Sequence, residues 1–190
     1  MKILFIRHTS VDVAPATCYG QTDVPLKESF PEEAAVVKKD LEGRHIDAVC
    51  CSPLTRCRRL AAFCGYEDPV IDSRLMEMNF GEWEMKRYDD IDDPRLQLWY
   101  DDYLNFSPTG GESSMQQRAR LESFIEDLKK WYAPTPDVTV AVFTHGGIII
   151  HAMTLLMGLT YQEAFARQPK YGDIVPMEIG MSKSTEESAE

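Results

Sequence analysis

Two histidines of this sequence follow short apolar runs, at positions where a strand would end. One residue separates His8 from residues 2–6, and one residue separates His145 from residues 138–143. Runs of this kind are typical of strands that are buried on both faces of a parallel sheet. Because the carboxyl ends of parallel strands meet at one edge of the sheet, both imidazoles are expected at that edge.

Arginines accompany these histidines. Arg7 directly precedes the first one, and Arg56 comes shortly after a third apolar run, residues 46–51. A guanidinium group can hold two phosphoryl oxygens at once while an imidazole attacks the phosphorus atom. Gly146 and Gly147 follow the second histidine and open an apolar stretch, so their backbone amides can also face an anion. The pattern therefore predicts a phosphate-binding pocket.

Clustered histidines can also bind a metal ion, or simply occupy turns. His145 and His151 are six residues apart, which does not stack them on one helical face, and the sequence has no HExxH motif. His45 and His151 are interpreted as a loop residue and a helix residue. We therefore expect neither a metal site nor a cofactor.

A cysteine-dependent phosphatase is the alternative chemistry. Cys50 and Arg56 have the C-x5-R spacing of such enzymes, whose loop curls consecutive backbone amides around the phosphate. This stretch has no glycine to permit the curl, and Pro53 removes one donor. It also leaves the two histidine motifs unexplained, so the spacing is interpreted as a coincidence.

Composition narrows the possible partners and location. The 190 residues carry a formal net charge of −11, which argues against a nucleic-acid partner because such a protein would need a basic face. The apolar start of the chain is too short for a signal peptide or a membrane span, so a cytoplasmic protein without a membrane partner is expected. Five cysteines, an odd number, do not indicate a secreted disulfide framework.

Apolar runs alternate with helical patterns along the chain. This order predicts a three-layer α/β/α fold with a doubly wound, mostly parallel sheet. Strands are expected at residues 2–6, 46–51, 70–71, 138–143 and 174–179, and helices at 31–41, 55–64, 121–132 and 148–157. Pro176 is hard to place in a central strand, so the last strand is expected to be an antiparallel edge strand.

The remaining segments complete the predicted organisation. Residues 72–111 lack clean periodicity but are rich in aromatic residues, which is typical of an insertion that covers a site. Those side chains either contact the substrate or pack as core. A single domain is expected over residues 1–180, followed by a disordered polar tail at 181–190.

Four motifs, taken in order, resemble the histidine phosphatase superfamily in its phosphoglycerate mutase-like branch. They lie at residues 7–9, 52–56, 75–84 and 144–147, and the resemblance runs from residue 1 to about residue 180. Finer features are similar to α-ribazole-5′-phosphate phosphatases: Thr9 in place of the usual glycine, residues 18–26, and the Thr-His-Gly-Gly form of the last motif. Relatives of broad specificity often carry Glu-Thr and then asparagine after the first motif, whereas this chain has residues 10–14, Ser-Val-Asp-Val-Ala.

The resemblance implies roles for five residues. His8 would become a phosphohistidine, and Arg7, Arg56 and His145, the last as an imidazolium, would hold the phosphoryl oxygens. Glu77 would protonate the leaving group and then deprotonate the attacking water. Phe80 and Trp83 are expected to give this carboxyl group apolar surroundings.

The resemblance also implies a substrate. Gln21, Thr22 and Gly146 are expected to contact it, and the implied reaction is dephosphorylation of α-ribazole 5′-phosphate in the assembly of the cobalamin nucleotide loop. A small-molecule phosphatase of broad specificity or a mutase-like enzyme is the alternative, although the chain length favours a hydrolase over a mutase. A phosphate-ester sensor without turnover is the non-enzymatic alternative. The protein is expected to be a monomer or a homodimer.

Overall fold

Five strands form one mixed sheet in a computed structural model that describes residues 1–135 and 137–180. They are β1 (Lys2–Arg7), β2 (Ala48–Cys51), β3 (Val70–Ile71), β4 (Thr139–Thr144) and β5 (Ile174–Glu178). Their spatial order is β3-β2-β4-β1-β5. All neighbours are parallel except β5, which runs antiparallel to β1 at the edge and contains Pro176. The predicted mostly parallel sheet with an antiparallel edge strand is confirmed.

Helices cover both faces of this sheet. They are α1 (Phe30–Leu41), α2 (Thr55–Phe63), α3 (Arg95–Asp101), α4 (Ser114–Trp131), α5 (Gly146–Leu156) and α6 (Tyr161–Ala166). Alternate residues of β1 point to opposite faces, so Ile3 and Phe5 pack with α4 and α5 while Leu4 and Ile6 pack with α1 and α2. Two apolar cores separated by the sheet confirm the three-layer α/β/α architecture.

Two helices begin at capping boxes, which the hydrophobic periodicity of the sequence does not indicate. The side chain of Ser113 caps α4 and exchanges hydrogen bonds with Gln116, so this helix starts seven residues before the predicted position. The side chain of Thr160 makes the same arrangement with Glu163 at the start of α6, which was not predicted. Both extra helical segments contribute residues to the site described below.

The segment at residues 72–111 combines short 3-10 turns, at Ser73–Leu75, Gly81–Trp83 and Tyr88–Asp90, with helix α3. Trp83 is buried there with Cys18 and Ile91, and Phe80 packs against this small cluster. The predicted tail at 181–190 lies outside the described residues. No helix in the described part of the chain is long and apolar enough to span a bilayer.

Candidate active site

The register of the two central strands places the two histidines side by side. Arg7 of β1 pairs with Thr144 of β4, so the next residue of each strand, His8 and His145, leaves the sheet at the same level. The backbone amide of His8 donates to the Thr144 carbonyl at 3.1 Å. The two imidazole rings then lie with their centroids 5.2 Å apart.

His8 is held as a neutral imidazole with a defined tautomer. Its side chain is buried, and its Nδ1 lies 2.7 Å from the carbonyl oxygen of Thr9. Because a carbonyl oxygen can only accept, Nδ1 carries the hydrogen and Nε2 retains a lone pair. Burial lowers the pKa of His8 to about 3, and the charge of Arg56 acts in the same direction. At neutral pH the residue therefore presents a nucleophilic nitrogen.

His145 is neutral too, and its tautomer is the opposite one. The Nε of Arg56 donates to His145 Nδ1 at 3.3 Å, so the remaining hydrogen is on Nε2, which lies 2.8 Å from Ser52 Oγ. Complete burial, followed by the charge of Arg56, lowers the pKa of His145 well below its ordinary value. In this structure His145 is therefore a neutral imidazole because it is buried. The imidazolium that the resemblance implies around a bound phosphate stays a prediction.

Arg56 is buried among protein acceptors. Its Nη1 donates to the carbonyl of Thr22 at 3.0 Å and its Nη2 to the carbonyl of Gly20 at 2.5 Å. The backbone amides of Gln21 and Thr22 donate to the carboxylate of Glu84. Arg56 thus fixes the loop that carries Gln21 and Thr22, two of the three predicted substrate contacts. The Gln21 side chain donates to the backbone carbonyl of Glu77 at 3.1 Å.

Arg7 has donors left for an anion. Its Nη1 donates to the carbonyl of Pro169 at 2.6 Å, and its guanidinium lies 4.2 Å from the ring centroid of Tyr171. Within the described part of the chain its Nε has no hydrogen-bond partner. A Cβ at Gly146 would lie 3.3 Å from that Nε, so the glycine leaves room at the guanidinium face.

Three N–H groups hold the carboxylate of Glu77. Gln117 Nε2 and the Met78 amide each donate to its Oε1 at 2.9 Å, and the amide of Gly147 donates to its Oε2 at 3.2 Å. A Cβ at Gly147 would overlap the Oε1 atom of Glu77 and lie 3.0 Å from the Oε1 atom of Gln117. Glycine at this position therefore allows helix α5 to approach Glu77 closely.

Arg7, His8 and Glu77 open into one cavity of about 570 Å³. Much of its wall is aromatic: Phe80, Tyr88, Trp99, Tyr103 and Phe165. A polar part of the wall consists of Ser114, Gln117 and His151. The described residues that line this cavity do not include five of the predicted site residues: Arg56, His145, Gln21, Thr22 and Gly146.

Several lining residues escaped the sequence prediction. His151 was interpreted only as a helix residue, but it is four residues after Gly147 on α5 and so shares that helical face. Ser114 and Gln117 are spaced by three on α4, whose first turns were not predicted to be helical. Trp83, expected to give Glu77 apolar surroundings, is buried in the small cluster with Cys18. Phe80 does line the cavity beside Glu77.

The cysteine alternative does not fit this geometry. Cys50 lies inside β2 and faces the core shared with α4 and α5. Burial raises the pKa of its thiol to about 12, so the nucleophilic thiolate is not formed at neutral pH.

Among the described residues there is also no group of three or more acidic, histidine or cysteine side chains arranged to bind a metal ion.

Comparison with known proteins gives a consistent result. The sequence model of the histidine phosphatase superfamily (branch 1) matches residues 3–188. The adenosylcobalamin/alpha-ribazole phosphatase of Salmonella typhimurium is 33% identical over 135 residues, 67% of this chain and 67% of that protein. The glucosyl-3-phosphoglycerate phosphatase of Mycobacterium tuberculosis is 27% identical over 169 residues, 83% of this chain and 76% of that protein. The crystal structure of the alpha-ribazole phosphatase from Shigella flexneri has the same fold, with a TM-score of 0.84 at 24% identity, covering 95% of this chain and 91% of that chain.

Proposed function

We propose, since this chain belongs to the histidine phosphatase superfamily, that it hydrolyses phosphate monoesters by transferring the phosphoryl group to Nε2 of His8. The observation that carries this proposal is the hydrogen bond from His8 Nδ1 to the Thr9 carbonyl. It directs the lone pair to Nε2, and it does so on a residue that shares a cavity with Arg7 and Glu77. Neutrality of the buried imidazole keeps that lone pair available at neutral pH.

The reaction divides into two displacements. In the first, Glu77 is protonated because the negative charge of the bound phosphate group disfavours its carboxylate form. Nε2 then forms a bond to phosphorus while the ester P–O bond breaks, and Glu77 gives its proton to the departing oxygen. In the second, water attacks the phosphohistidine, its proton passes to Glu77, and the P–N bond breaks to release inorganic phosphate. His8 is returned neutral and Glu77 protonated, so the cycle closes without a metal ion or a redox partner.

Positive and N–H groups around His8 would stabilise the transferring phosphoryl group. Arg7 opens into the cavity, the ring of His145 lies 5.2 Å from that of His8, and Arg56 donates to His145. A phosphate dianion beside His145 favours its protonated form, because opposite charges attract strongly in a buried site. Phosphate binding is therefore expected to take up a proton. Gly146, Gln21 and Thr22 stay predicted substrate contacts.

The proposed natural substrate is α-ribazole 5′-phosphate. Two observations support it: the name of the Salmonella typhimurium relative, and an aromatic wall suited to a planar base. Trp99 is central to this wall, since its ring lies 6.2 Å from Phe80, 6.5 Å from Tyr88 and 6.4 Å from Tyr103, measured between centroids. A cytoplasmic location and a monomeric or homodimeric state belong to the same proposal.

Substrate comparison tests this function. The purified protein is assayed in excess EDTA with α-ribazole 5′-phosphate, adenosine 5′-phosphate, ribose 5-phosphate and p-nitrophenyl phosphate, and kcat/KM is measured for each. We expect the highest kcat/KM for α-ribazole 5′-phosphate. Trp99→Ala should lower the ratio of kcat/KM for α-ribazole 5′-phosphate to kcat/KM for ribose 5-phosphate. Similar values for all four esters would support a phosphatase of broad specificity. Saturable binding without release of phosphate would indicate a sensor, and loss of activity in EDTA would indicate a metal-dependent enzyme.

A further inference from the structure

The proposed hydrolysis leaves one buried histidine of the cavity without a role. His151 of α5 is 2% exposed and lines the cavity together with Ser114. Its Nε2 lies 3.3 Å from Ser114 Oγ of α4, and its Nδ1 lies 3.0 Å from the hydroxyl of Tyr161 of α6. Three helices thus meet in a chain of hydrogen bonds that ends at the cavity surface.

The far end of this chain determines its direction. Arg118 Nη1 lies 3.4 Å from the Tyr161 hydroxyl, and a guanidinium can only donate, so the Tyr161 oxygen accepts there. Two acceptors then compete for the Tyr161 hydrogen: Nδ1 of His151 and, at 3.7 Å, the thioether sulfur of Met115. The imidazole nitrogen is much the better acceptor. The positive charge of Arg118 also favours the orientation in which every hydrogen points away from it.

The orientation continues through the histidine. Burial keeps His151 neutral by lowering its pKa to about 4, although the charge of Glu77 opposes this shift. A neutral imidazole that accepts at Nδ1 must donate from Nε2, so Ser114 Oγ accepts from His151. The hydrogen of the Ser114 hydroxyl then remains to be donated. Because Ser114 lines the cavity, that donor faces the space that also contains His8 and Glu77.

We infer that Ser114 donates a hydrogen bond to the leaving group, and that this part of the cavity selects phosphate esters whose leaving group carries a planar ring with an acceptor. A ring nitrogen or a carbonyl oxygen is the chemical class that fits, because the adjoining wall is aromatic. Ser114 contacts the substrate, whereas His151, Tyr161 and Arg118 are positioning residues that orient its hydroxyl group. This inference rests on the proposed phosphatase function.

The tautomer of His151 provides a test that does not depend on turnover. Long-range proton–nitrogen NMR spectra distinguish Nδ1–H from Nε2–H, and the signal is assigned by its loss in His151→Gln. The hydrogen is expected on Nε2 of His151, and Tyr161→Phe should shift it toward a mixture of tautomers. A spectrum with the hydrogen on Nδ1 in the wild-type protein would reverse the chain and overturn the inference.

Matched aryl esters test the selectivity. 1-Naphthyl phosphate is compared with the isomeric quinolinyl phosphates, which have the same shape and replace one ring CH by nitrogen. Wild-type protein should prefer one quinolinyl isomer. Ser114→Ala should lower kcat/KM for that isomer about 3- to 10-fold more than for the naphthyl ester, the usual range for one uncharged hydrogen bond. This additional loss of kcat/KM should appear as a higher KM, because the hydrogen bond also forms in the bound ground state.

Controls separate this inference from the function on which it rests. Tyr161→Phe should reproduce part of the selective loss, although Tyr161 is remote from the reacting atoms. Tyr66→Phe is the matched control with no expected selectivity change, since Tyr66 packs against Phe143 in the other core. Equal losses for both classes of ester in Ser114→Ala would overturn the assignment of Ser114. Failure of the wild-type protein to hydrolyse any of these esters would contradict the phosphatase proposal instead.

Discussion

Acid is expected to destabilise this protein through the histidines that it buries. Burial is the main cause that lowers the pKa of His8 to about 3 and that of His151 to about 4, and it also lowers the pKa of His145 well below its ordinary value. In the unfolded chain each imidazole titrates near pH 6.5. Between these values the unfolded state binds more protons than the folded state, so the free energy of unfolding falls as the pH falls.

The size of this effect follows from the lowered pKa values of His8 and His151. Each pH unit within the window changes the free energy of unfolding by about 1.4 kcal/mol for each such histidine. Lowering the pH from about 8 to about 5 therefore removes about 2 kcal/mol through His8 and about 2 kcal/mol through His151. Domains of this kind are typically stable by about 5–15 kcal/mol, so the loss is a large fraction of the total. Each histidine makes its full contribution to the free energy of unfolding above about pH 6.5. This contribution decreases as the pH falls, until the pH reaches the pKa of that histidine in the folded protein.

Urea unfolding followed by tryptophan fluorescence measures this dependence. His151→Gln removes one titrating group, so the loss of stability between about pH 8 and about pH 5 should shrink by about 2 kcal/mol relative to wild type. Tyr66→Phe is the control, because burial raises the pKa of this partly buried phenol above its ordinary value. The phenol therefore stays neutral from about pH 8 to about pH 5, and its removal should leave the pH dependence unchanged. If the free energy of unfolding has the same pH dependence in wild type and in His151→Gln, this prediction is wrong. His151 would then be protonated or solvated in the folded protein.

Three further predictions concern the catalytic groups. Glu77→Gln should lower kcat roughly 100-fold or more on a poor leaving group, and a near-normal rate would assign the proton transfer elsewhere. Gly147→Ala should lower kcat roughly 10-fold or more without lowering the melting temperature correspondingly, because its Cβ displaces Glu77 while alanine favours the helix by up to about 1 kcal/mol. Cys50→Ser should retain most of the hydrolysis of p-nitrophenyl phosphate, whereas its loss would revive the cysteine mechanism.

The strands and longer helices were predictable because their signals are local. Residues 2–6 and 138–143 are mostly apolar runs, and the structure has strands there. Pro176 correctly indicated an edge strand, since proline cannot donate to a central ladder. Helix α6 has only six residues, too few for a hydrophobic period, yet its Thr-x-x-Glu capping box was a readable signal.

The site was harder to predict in full, because part of it depends on contacts between distant segments. Tyr171 and Pro169 contact Arg7 across more than 160 residues, and no spacing in the sequence announces this. The charge of His145 depends on its degree of burial, which is a property of the packed fold. By contrast, the convergence of His8 and His145 followed from their common position after parallel strands.

Phosphoryl transfer to His8 is tested most directly by identifying the atom that carries the phosphoryl group during turnover. Protein mixed with a labelled phosphate ester is quenched in alkali, digested, and analysed by mass spectrometry and phosphorus NMR. We expect a phosphohistidine at His8, bonded through Nε2, that survives alkali, decays in acid and is absent from His8→Ala. Phosphate on Nδ1 of His8 or on Cys50, or full turnover by His8→Ala, would contradict it.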